Sequence, residues 1–269
     1  MVDQSAVEAL AGQVQSNPKY QHILKDLVLR LCEEALAKGE KPKTALKSVR
    51  NKLHQIGGAY FKHKINYSQS QLALAKLPHD LYDAQVQRFC LTTMQAHASS
   101  AERLPILEEF FTTCLDPIQP VTSVLDLACG FNPLALPWMP LAAGCTYRAC
   151  DIFLDMLQLV QSFFNHFDFD GAACPCDLAH QVPQHGVQVA FLLKSIPCLE
   201  QMDKAISVPL LEAIQADHIL VSFPVSSLTG KQKGMSSFYR DHFYQLLSET
   251  GWQIREFVFQ SELAFLVTK

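Results

Sequence analysis

The chain contains no long uninterrupted hydrophobic run. Although 49% of its 269 residues are hydrophobic, no apolar stretch approaches the roughly 18 residues that a membrane-spanning helix requires. Its first five residues lack the basic-then-apolar pattern of a secretory signal peptide. Neither an internal repeat nor a low-complexity segment is visible. We therefore expect a cytoplasmic protein with an ample hydrophobic core and no membrane partner.

The cysteines lack the C-x-x-C pairing that is typical of zinc sites. There are nine of them, and most lie inside apolar segments, as Cys32, Cys90 and Cys150 do. The closest pair, Cys174 and Cys176, is separated by a single residue and does not fit the zinc pattern. We expect reduced structural thiols and no bound metal ion.

Acidic residues are scarce in one part of the chain. The net charge is −4, but residues 1–110 carry 14 Lys and Arg against 11 Asp and Glu, whereas residues 111–269 carry 8 against 15. Residues 38–64, here called the basic segment, contain eight bases and the single acid Glu40. A localised contact with a polyanion is one interpretation. A solvated helix face is the alternative.

Helical periodicity dominates the first part of the chain. Apolar residues recur on one helix face at Ile23, Leu27 and Leu31, and Pro42 suits the first turn of the next helix. Ser99-Ser100 is expected to cap a last helix that runs through Phe110 and Phe111. The pattern predicts an N-terminal helical domain over residues 1–115, followed by a second domain over residues 116–269.

A strand, a tight turn and an acid form the most informative motif. Residues 123–127 are an apolar strand that leads into Ala128-Cys129-Gly130, and a second strand ends at Asp151, 25 residues after Asp126. An acid at this point can accept both ribose hydroxyls of a nucleoside. The turn lacks the G-x-G-x-x-G pattern that cradles a pyrophosphate. A phosphate-free nucleoside such as S-adenosylmethionine therefore fits better than NAD.

Strands and helices alternate in the second domain. The predicted strands are 121–127, 146–151, 171–176, 187–193, 217–223, 252–259 and 262–268, and the predicted helices are 153–167, 199–215 and 236–250. Alternation implies a mostly parallel sheet, and the two-residue gap at Gln260-Ser261 predicts a hairpin. Seven strands with one antiparallel are the arrangement of class I, Rossmann-like, S-adenosylmethionine-dependent methyltransferases.

Several short strings also occur in order between residues 53 and 235. They are Leu53-His54-x-Ile56-x-Gly58-Ala59-Tyr60, His97-Ala98-Ser99-x-x-Glu102-Arg103, Leu125-Asp126-x-Ala128-Cys129-Gly130-x-Asn132-Pro133-Leu134-Ala135-Leu136, Cys150-Asp151-Ile152, Leu193-Lys194-x-x-Pro197-x-Leu199-Glu200, Val221-Ser222-Phe223-Pro224-x-x-Ser227-Leu228 and Lys233-Gly234-Met235. As an ordered set, they resemble the 16S rRNA (guanine-N7) methyltransferases that confer aminoglycoside resistance. The first 50 residues match that family only in helical, basic character.

The resemblance implies a set of cofactor contacts. These residues are Tyr60, His97, Ala98, Ser99, Arg103, Ala128, Gly130, Asp151, Ile152, Asp177, Leu178, Leu193 and Met202. Arg103 would pair with the methionine carboxylate, and Asp151 would hold the ribose. Asp177 and Leu178 would lie at the border of the adenine site. Met202 stands where the family often has a polar residue.

Each of these residues also has a purely structural interpretation. Arg103 would simply pair with Glu102 or Glu108 on a helix face, and Asp177 would cap a helix. Leu193 would be ordinary core. Asp126 would orient the turn without touching a ligand.

The chemistry that the resemblance implies needs no general base. Guanine N7 carries a lone pair in the ring plane, so catalysis requires positioning rather than proton removal. Lys194 follows a parallel strand, where such folds keep their sites, and would hold an extruded base or its phosphate. A surface lysine is the alternative. The cysteines need no catalytic role.

The implied substrate is 16S rRNA in the assembled 30S subunit. The candidate RNA contacts are Lys43, Lys47, Arg50, Lys52, Lys62, Lys64, Lys231, Lys233 and Met235. A monomer without an obligate protein partner is expected. Two alternatives are a methyltransferase of another RNA site, and a non-catalytic RNA-binding protein with a decayed cofactor site.

Overall fold

The computed structural model describes residues 2–58, 65–225 and 235–269. Five residues with predicted contacts lie outside these ranges, namely Tyr60, Lys62, Lys64, Lys231 and Lys233.

A seven-stranded mixed sheet forms the centre of the molecule. Its strands are β1 (Val121–Leu127), β2 (Leu141–Asp151), β3 (Gly171–Pro175), β4 (Val187–Leu193), β5 (Ala216–Pro224), β6 (Gln253–Val258) and β7 (Glu262–Thr268). They lie in the order β3-β2-β1-β4-β5-β7-β6. Within the sheet, β7 runs antiparallel to both of its neighbours, β5 and β6, and the other six strands share one direction. The predicted α/β class I sheet and its C-terminal hairpin are confirmed.

Eleven α-helices are present in the described ranges. They are α1 (Gln4–Gln15), α2 (Lys25–Ala37), α3 (Pro42–Leu53), α4 (Tyr67–Leu74), α5 (Ala84–Met94), α6 (Ala98–Arg103), α7 (Leu107–Leu115), α8 (Leu154–His166), α9 (Ile196–Glu200), α10 (Ser207–Ala213) and α11 (Met235–Leu246). The single helix predicted over 199–215 is wrong. Since Pro209 donates no backbone hydrogen bond, it fits the first turn of α10 but not the interior of a longer helix.

The N-terminal helices divide between two hydrophobic cores. Helices α1 to α3 bury Val14, Leu27 and Val49 against one another in a core of their own. In contrast, Phe110 and Phe111 of α7 belong to the core of the sheet. Residues 4–58, which comprise α1 to α3 and a π-helical turn (His54–Gly58), are called the three-helix unit below.

The three-helix unit is joined to the sheet beside the end of β2. The Leu24 N–H donates to the Ile152 carbonyl at 2.8 Å, and the Leu154 N–H donates to the His22 carbonyl at 2.8 Å. Gly57 lies so close to Phe153 that an added Cβ would stand 2.5 Å from Cε2 of its ring. The unit therefore covers the carboxyl end of β2 directly.

None of the helices in the described ranges is long and apolar enough to cross a membrane.

Candidate cofactor cleft

A cleft opens where β1, β2 and β4 end, as the parallel-sheet rule predicts. It encloses about 850 Å³ of empty space, part of which is open solvent. Leu27, Ile56 and Gly57 contribute one wall from the three-helix unit. The other lining residues are His97, Ser99, Ser100, Ala128, Cys129, Gly130, Asn132, Asp151, Ile152, Phe153, Met156, Cys176, Asp177, Leu178, Leu193, Lys194, Ser195, Cys198, Leu199 and Met202.

The floor of the cleft is the tight turn after β1. Ala128 and Gly130 both have a φ of +52°, a left-handed conformation that glycine adopts freely and alanine only at a cost. A Cβ on Gly130 would meet Cε1 of His97 at 3.3 Å. The turn thus lets the backbone face the cleft under the His97 ring.

Asp151 is fixed at the end of β2 by backbone donors. Its carboxylate accepts hydrogen bonds from the N–H groups of Gly130 at 3.0 Å and Ile152 at 2.6 Å. Burial raises the pKa of Asp151, and these hydrogen bonds act to lower it. A carboxylate has further lone pairs, so this group can still accept hydroxyl donors from a ligand in the cleft.

Asp126 lies beneath the turn and does not line the cleft. Its carboxyl group accepts hydrogen bonds from the Tyr147 hydroxyl at 2.7 Å and from the Asn132 amide at 3.3 Å. Burial raises its pKa to about 7. This geometry agrees with the interpretation of Asp126 as a residue that orients the turn.

Asp177 follows β3 and faces the three-helix unit. Both Nε and Nη2 of Arg30 donate to Oδ2 of Asp177, at 3.0 and 2.8 Å. Oδ1 accepts the Ala179 N–H at 3.1 Å. No local sequence pattern singles out Arg30, because its contact with Asp177 spans 147 positions of the chain.

Arg103 is fully buried and does not line the cleft. Its guanidinium donates to both carboxylate oxygens of Glu262 and to Oδ1 of Asn132 at 2.7 Å. The alternative partners suggested by the sequence, Glu102 and Glu108, are not those it contacts. Glu262 opens β7 and was missed, although an acid at the start of an otherwise apolar strand was a usable signal.

Lys194 lines the cleft but is not a surface residue, since its side chain is only 3% exposed. Its Nζ lies 3.0 Å from Oε2 of Glu102, 3.2 Å from Oε2 of Glu262 and 3.3 Å from the Ser99 carbonyl. Burial acts to raise the pKa of Glu262, but the positive charges of Arg103 and Lys194 hold it below its usual value. Arg103, Lys194, Glu102 and Glu262 thus form one ion-pair network, and Lys194 is the member of it that lines the cleft.

The remaining predicted contacts lie around the cleft. His97, Ser99, Ile152, Leu178, Leu193 and Met202 line it, whereas Ala98 is buried outside the lining. Helix α6 begins at Ala98 with His97 as its N-cap, so Ser99 and Ser100 lie inside the helix and the prediction that they cap it was wrong. Leu193 is both buried and in the cleft wall.

The thiols and acids give no sign of a metal centre within the described ranges, where no group of three or more His, Cys, Asp and Glu side chains is placed to hold an ion. None of the nine cysteines, all of which lie in the described ranges, forms a disulfide, and seven of them are buried. Burial raises the pKa of Cys32 and Cys145 to about 11, which disfavours the reactive thiolate.

The predicted RNA contacts of the basic segment differ in exposure. Lys43 and Lys47 are exposed on α3. Arg50 donates to the Gln13 carbonyl at 2.7 Å, and Lys52 pairs with Glu34 at 3.1 Å. Met235 is half-buried at the start of α11. Helix α3, which carries these bases, leads along the chain into Ile56 and Gly57 of the cleft wall.

The residues of the cleft fit S-adenosylmethionine. Apolar side chains such as Leu178 and Leu193 can cover an adenine, and Asp151 can accept its ribose hydroxyls. The hydroxyl oxygen of Ser195 is buried in the cleft wall and has no hydrogen-bond partner among the described residues, so a polar ligand group there would satisfy it.

Comparison with known proteins places the whole chain near one group of enzymes. The FmrO family model, described as ribosomal RNA methyltransferase, matches residues 16–266. A 16S rRNA (guanine(1405)-N(7))-methyltransferase from Frankia casuarinae is 31% identical over 99% of this chain and 95% of its own length. The enzyme of the same name from Micromonospora rosea is 29% identical, over 98% and 97%.

A solved structure shows the same extent of similarity. The 16S rRNA methyltransferase RmtF, in complex with S-adenosyl-L-homocysteine, is 29% identical to this chain, with a TM-score of 0.82. It covers 98% of both chains. The similarity therefore includes the three-helix unit as well as the sheet.

Proposed function

Because this chain belongs to the FmrO family of ribosomal RNA methyltransferases, we propose that it methylates N7 of one guanine in 16S rRNA. The relatives named above act on guanine 1405, and we assign this chain the same nucleotide. The substrate is the decoding site of the assembled 30S subunit, and the enzyme acts as a cytoplasmic monomer. The added cationic methyl group disrupts aminoglycoside contacts and so confers resistance.

The observation that carries this proposal is that the helix with the exposed bases leads directly into a wall of the cleft. Lys43 and Lys47 are exposed on α3, and the turn after this helix supplies Ile56 and Gly57 to the cleft wall. An RNA backbone held by these lysines would place a nucleotide near the cofactor. We assign docking to the helical residues 1–115 and most of cofactor binding to residues 116–269, while Leu27, Gly57 and His97 of the first part also line the cleft.

The residues of the cleft bind and orient the cofactor. When bound, S-adenosylmethionine supplies an electrophilic methyl group on its sulfonium. Asp151 holds the ribose, while Asp177 and Leu178 lie at the border of the adenine site. Since N7 already carries a lone pair, alignment of this atom with the methyl group is sufficient and no residue needs to remove a proton.

The target base must leave its helix before it can react. N7 of a paired guanine faces the deep, narrow major groove of RNA, so extrusion costs a few kcal/mol. Phosphate contacts from the basic segment offset part of this cost without reading sequence. Lys194, at the cleft wall, is assigned to the extruded nucleotide.

The test is to incubate purified 30S subunits with the protein and radiolabelled S-adenosylmethionine, and to map the modified nucleotide. We expect one methyl group at N7 of guanine 1405, with little labelling of naked 16S rRNA. Labelling of another nucleotide or atom would refute the assigned site. Labelling of small molecules but not of ribosomes would refute an RNA substrate altogether.

A further inference from the structure

Arg30 links the three-helix unit to the cofactor cleft through a two-point contact. Its Nε and Nη2 both donate to Oδ2 of Asp177, at 3.0 and 2.8 Å. The Asp177 side chain is 10% exposed and that of Arg30 is 26% exposed, so this ion pair is better shielded than a surface pair. Asp177 lines the cleft.

The same guanidinium is held from its other side. Nη1 of Arg30 donates to Oε1 of Glu34 at 2.6 Å, one helical turn further along α2. Oε2 of Glu34 accepts from Nζ of Lys52 on α3 at 3.1 Å. Burial acts to raise the pKa of Glu34, but Lys52 and Arg30 lower it below its usual value, so Glu34 stays ionised at neutral pH.

These contacts restrict Asp177 to one position. Oδ2 is fixed by Arg30 and Oδ1 by the Ala179 N–H, so the carboxylate is anchored from both a neighbouring turn and a separate helical unit. The planar fork of Arg30, with two donors on one oxygen and a third on Glu34, defines a direction that a lysine ammonium would not.

We propose that Arg30 is a positioning residue for the cofactor site, which sets the Asp177 carboxylate at the adenine end of the cleft from within the RNA-docking unit. The inference rests on the proposed role of Asp177 and extends it. Its consequence is that the cofactor site is complete only when the three-helix unit is docked on the sheet. The chain of charges Asp177–Arg30–Glu34–Lys52 also joins the adenine end to the basic segment.

The test measures S-adenosylmethionine binding to the purified full-length chain by isothermal titration calorimetry. Arg30→Met should weaken binding about fivefold, and Arg30→Lys should recover part of the loss. The matched control is Arg148→Met, because Arg148 pairs with Asp170 at a more exposed site away from the cleft. It should change affinity by less than about twofold.

A double-mutant cycle separates positioning from general stability. In an Asp177→Asn background, Arg30→Met should add less than about a twofold loss, because the group that Arg30 positions is already altered. In the methylation assay on 30S subunits, Arg30→Met should raise KM for S-adenosylmethionine and leave kcat at saturation nearly unchanged.

Two results would overturn the inference. One is unchanged affinity in Arg30→Met with unaltered circular dichroism, and the other is an equal loss in the wild-type and Asp177→Asn backgrounds. If Arg30→Met does not fold, Arg30→Gln replaces it, since a polar side chain suits this partly exposed site. Failure of the proposed function is distinct, because the wild-type protein itself would then not bind S-adenosylmethionine or not methylate ribosomes.

Discussion

Single charged residues at the ends of strands determine how this cleft can bind a nucleoside. Asp151 is the clearest case, because its carboxylate is fixed by the backbone N–H groups of Gly130 and Ile152. Asp151→Ala should weaken S-adenosylmethionine binding more than about tenfold, or about 1.4 kcal/mol, as measured by calorimetry. Asp170→Ala, at an exposed site, is the control. Unchanged affinity in a folded Asp151→Ala protein would remove this residue from the site.

Lys194 should matter more for turnover than for docking. A contact made only after the base is extruded stabilises the reactive complex and adds little to initial binding. Lys194→Ala should therefore keep 30S affinity within a few-fold while methylation falls steeply. The exposed Lys204 provides the control variant Lys204→Ala. If Lys194→Ala still confers full resistance to kanamycin and gentamicin in cells at normal expression, its assigned role is wrong.

Asp126 should make stability depend on pH. Burial raises its pKa from 3.8 to about 7 in the folded protein. Between these values the folded protein retains a proton that the unfolded chain has released, so the free energy of unfolding falls as pH rises. Asp126→Asn should remove this slope. Relative to the wild type, its free energy of unfolding should rise by a few kcal/mol between about pH 4 and pH 7.

Urea denaturation of both proteins across this range measures the effect. If the free energies of unfolding of the two proteins differ by the same amount at all pH values, Asp126 is ionised in the folded state throughout the range.

At the scale of elements, α3 combines a buried apolar face with an exposed basic one. Ala45, Val49 and Leu53 are buried, whereas Lys43 and Lys47 are exposed. The double variant Lys43→Glu/Lys47→Glu should weaken 30S binding and reduce its dependence on salt concentration, because fewer phosphate charges are neutralised. Affinity for S-adenosylmethionine should be retained.

Filter binding at several salt concentrations, with Lys76→Glu as an exposed control outside the basic segment, tests this prediction. A parallel loss of cofactor and subunit affinity would indicate misfolding. If neither cofactor affinity nor subunit affinity falls, the basic segment is a solvated surface.

At the scale of the whole molecule, the fit between the three-helix unit and the sheet depends on Gly57. An added Cβ would stand 2.5 Å from the Phe153 ring, so Gly57→Ala requires a shift at the junction. We expect thermal unfolding to show a loss of about 1–3 kcal/mol, together with weaker S-adenosylmethionine binding. Gly12→Ala has open space around its Cβ and should be neutral or stabilising by up to about 1 kcal/mol. Equal free energies of unfolding for Gly57→Ala and Gly12→Ala would contradict this account of the junction.

The sequence by itself determined the parts of the structure that depend on local patterns. The strands 121–127, 187–193 and 262–268 were predicted with the bounds that the structure has, because each is a short, mainly apolar run. The turn at Gly130 and the acid at Asp151 followed from their place at strand ends. The ordered strings gave the family, which the comparisons then showed.

Only the tertiary structure decided which charged groups pair. Arg103 meets Glu262 across 159 positions, and Arg30 meets Asp177 across 147, and no local pattern encodes such contacts. The sequence likewise gave no sign that Lys194 is buried or that α7 shares the core of the sheet. The physical reason is that periodicity and turn chemistry act over a few residues, whereas the pairing of buried charges depends on which elements the fold brings together.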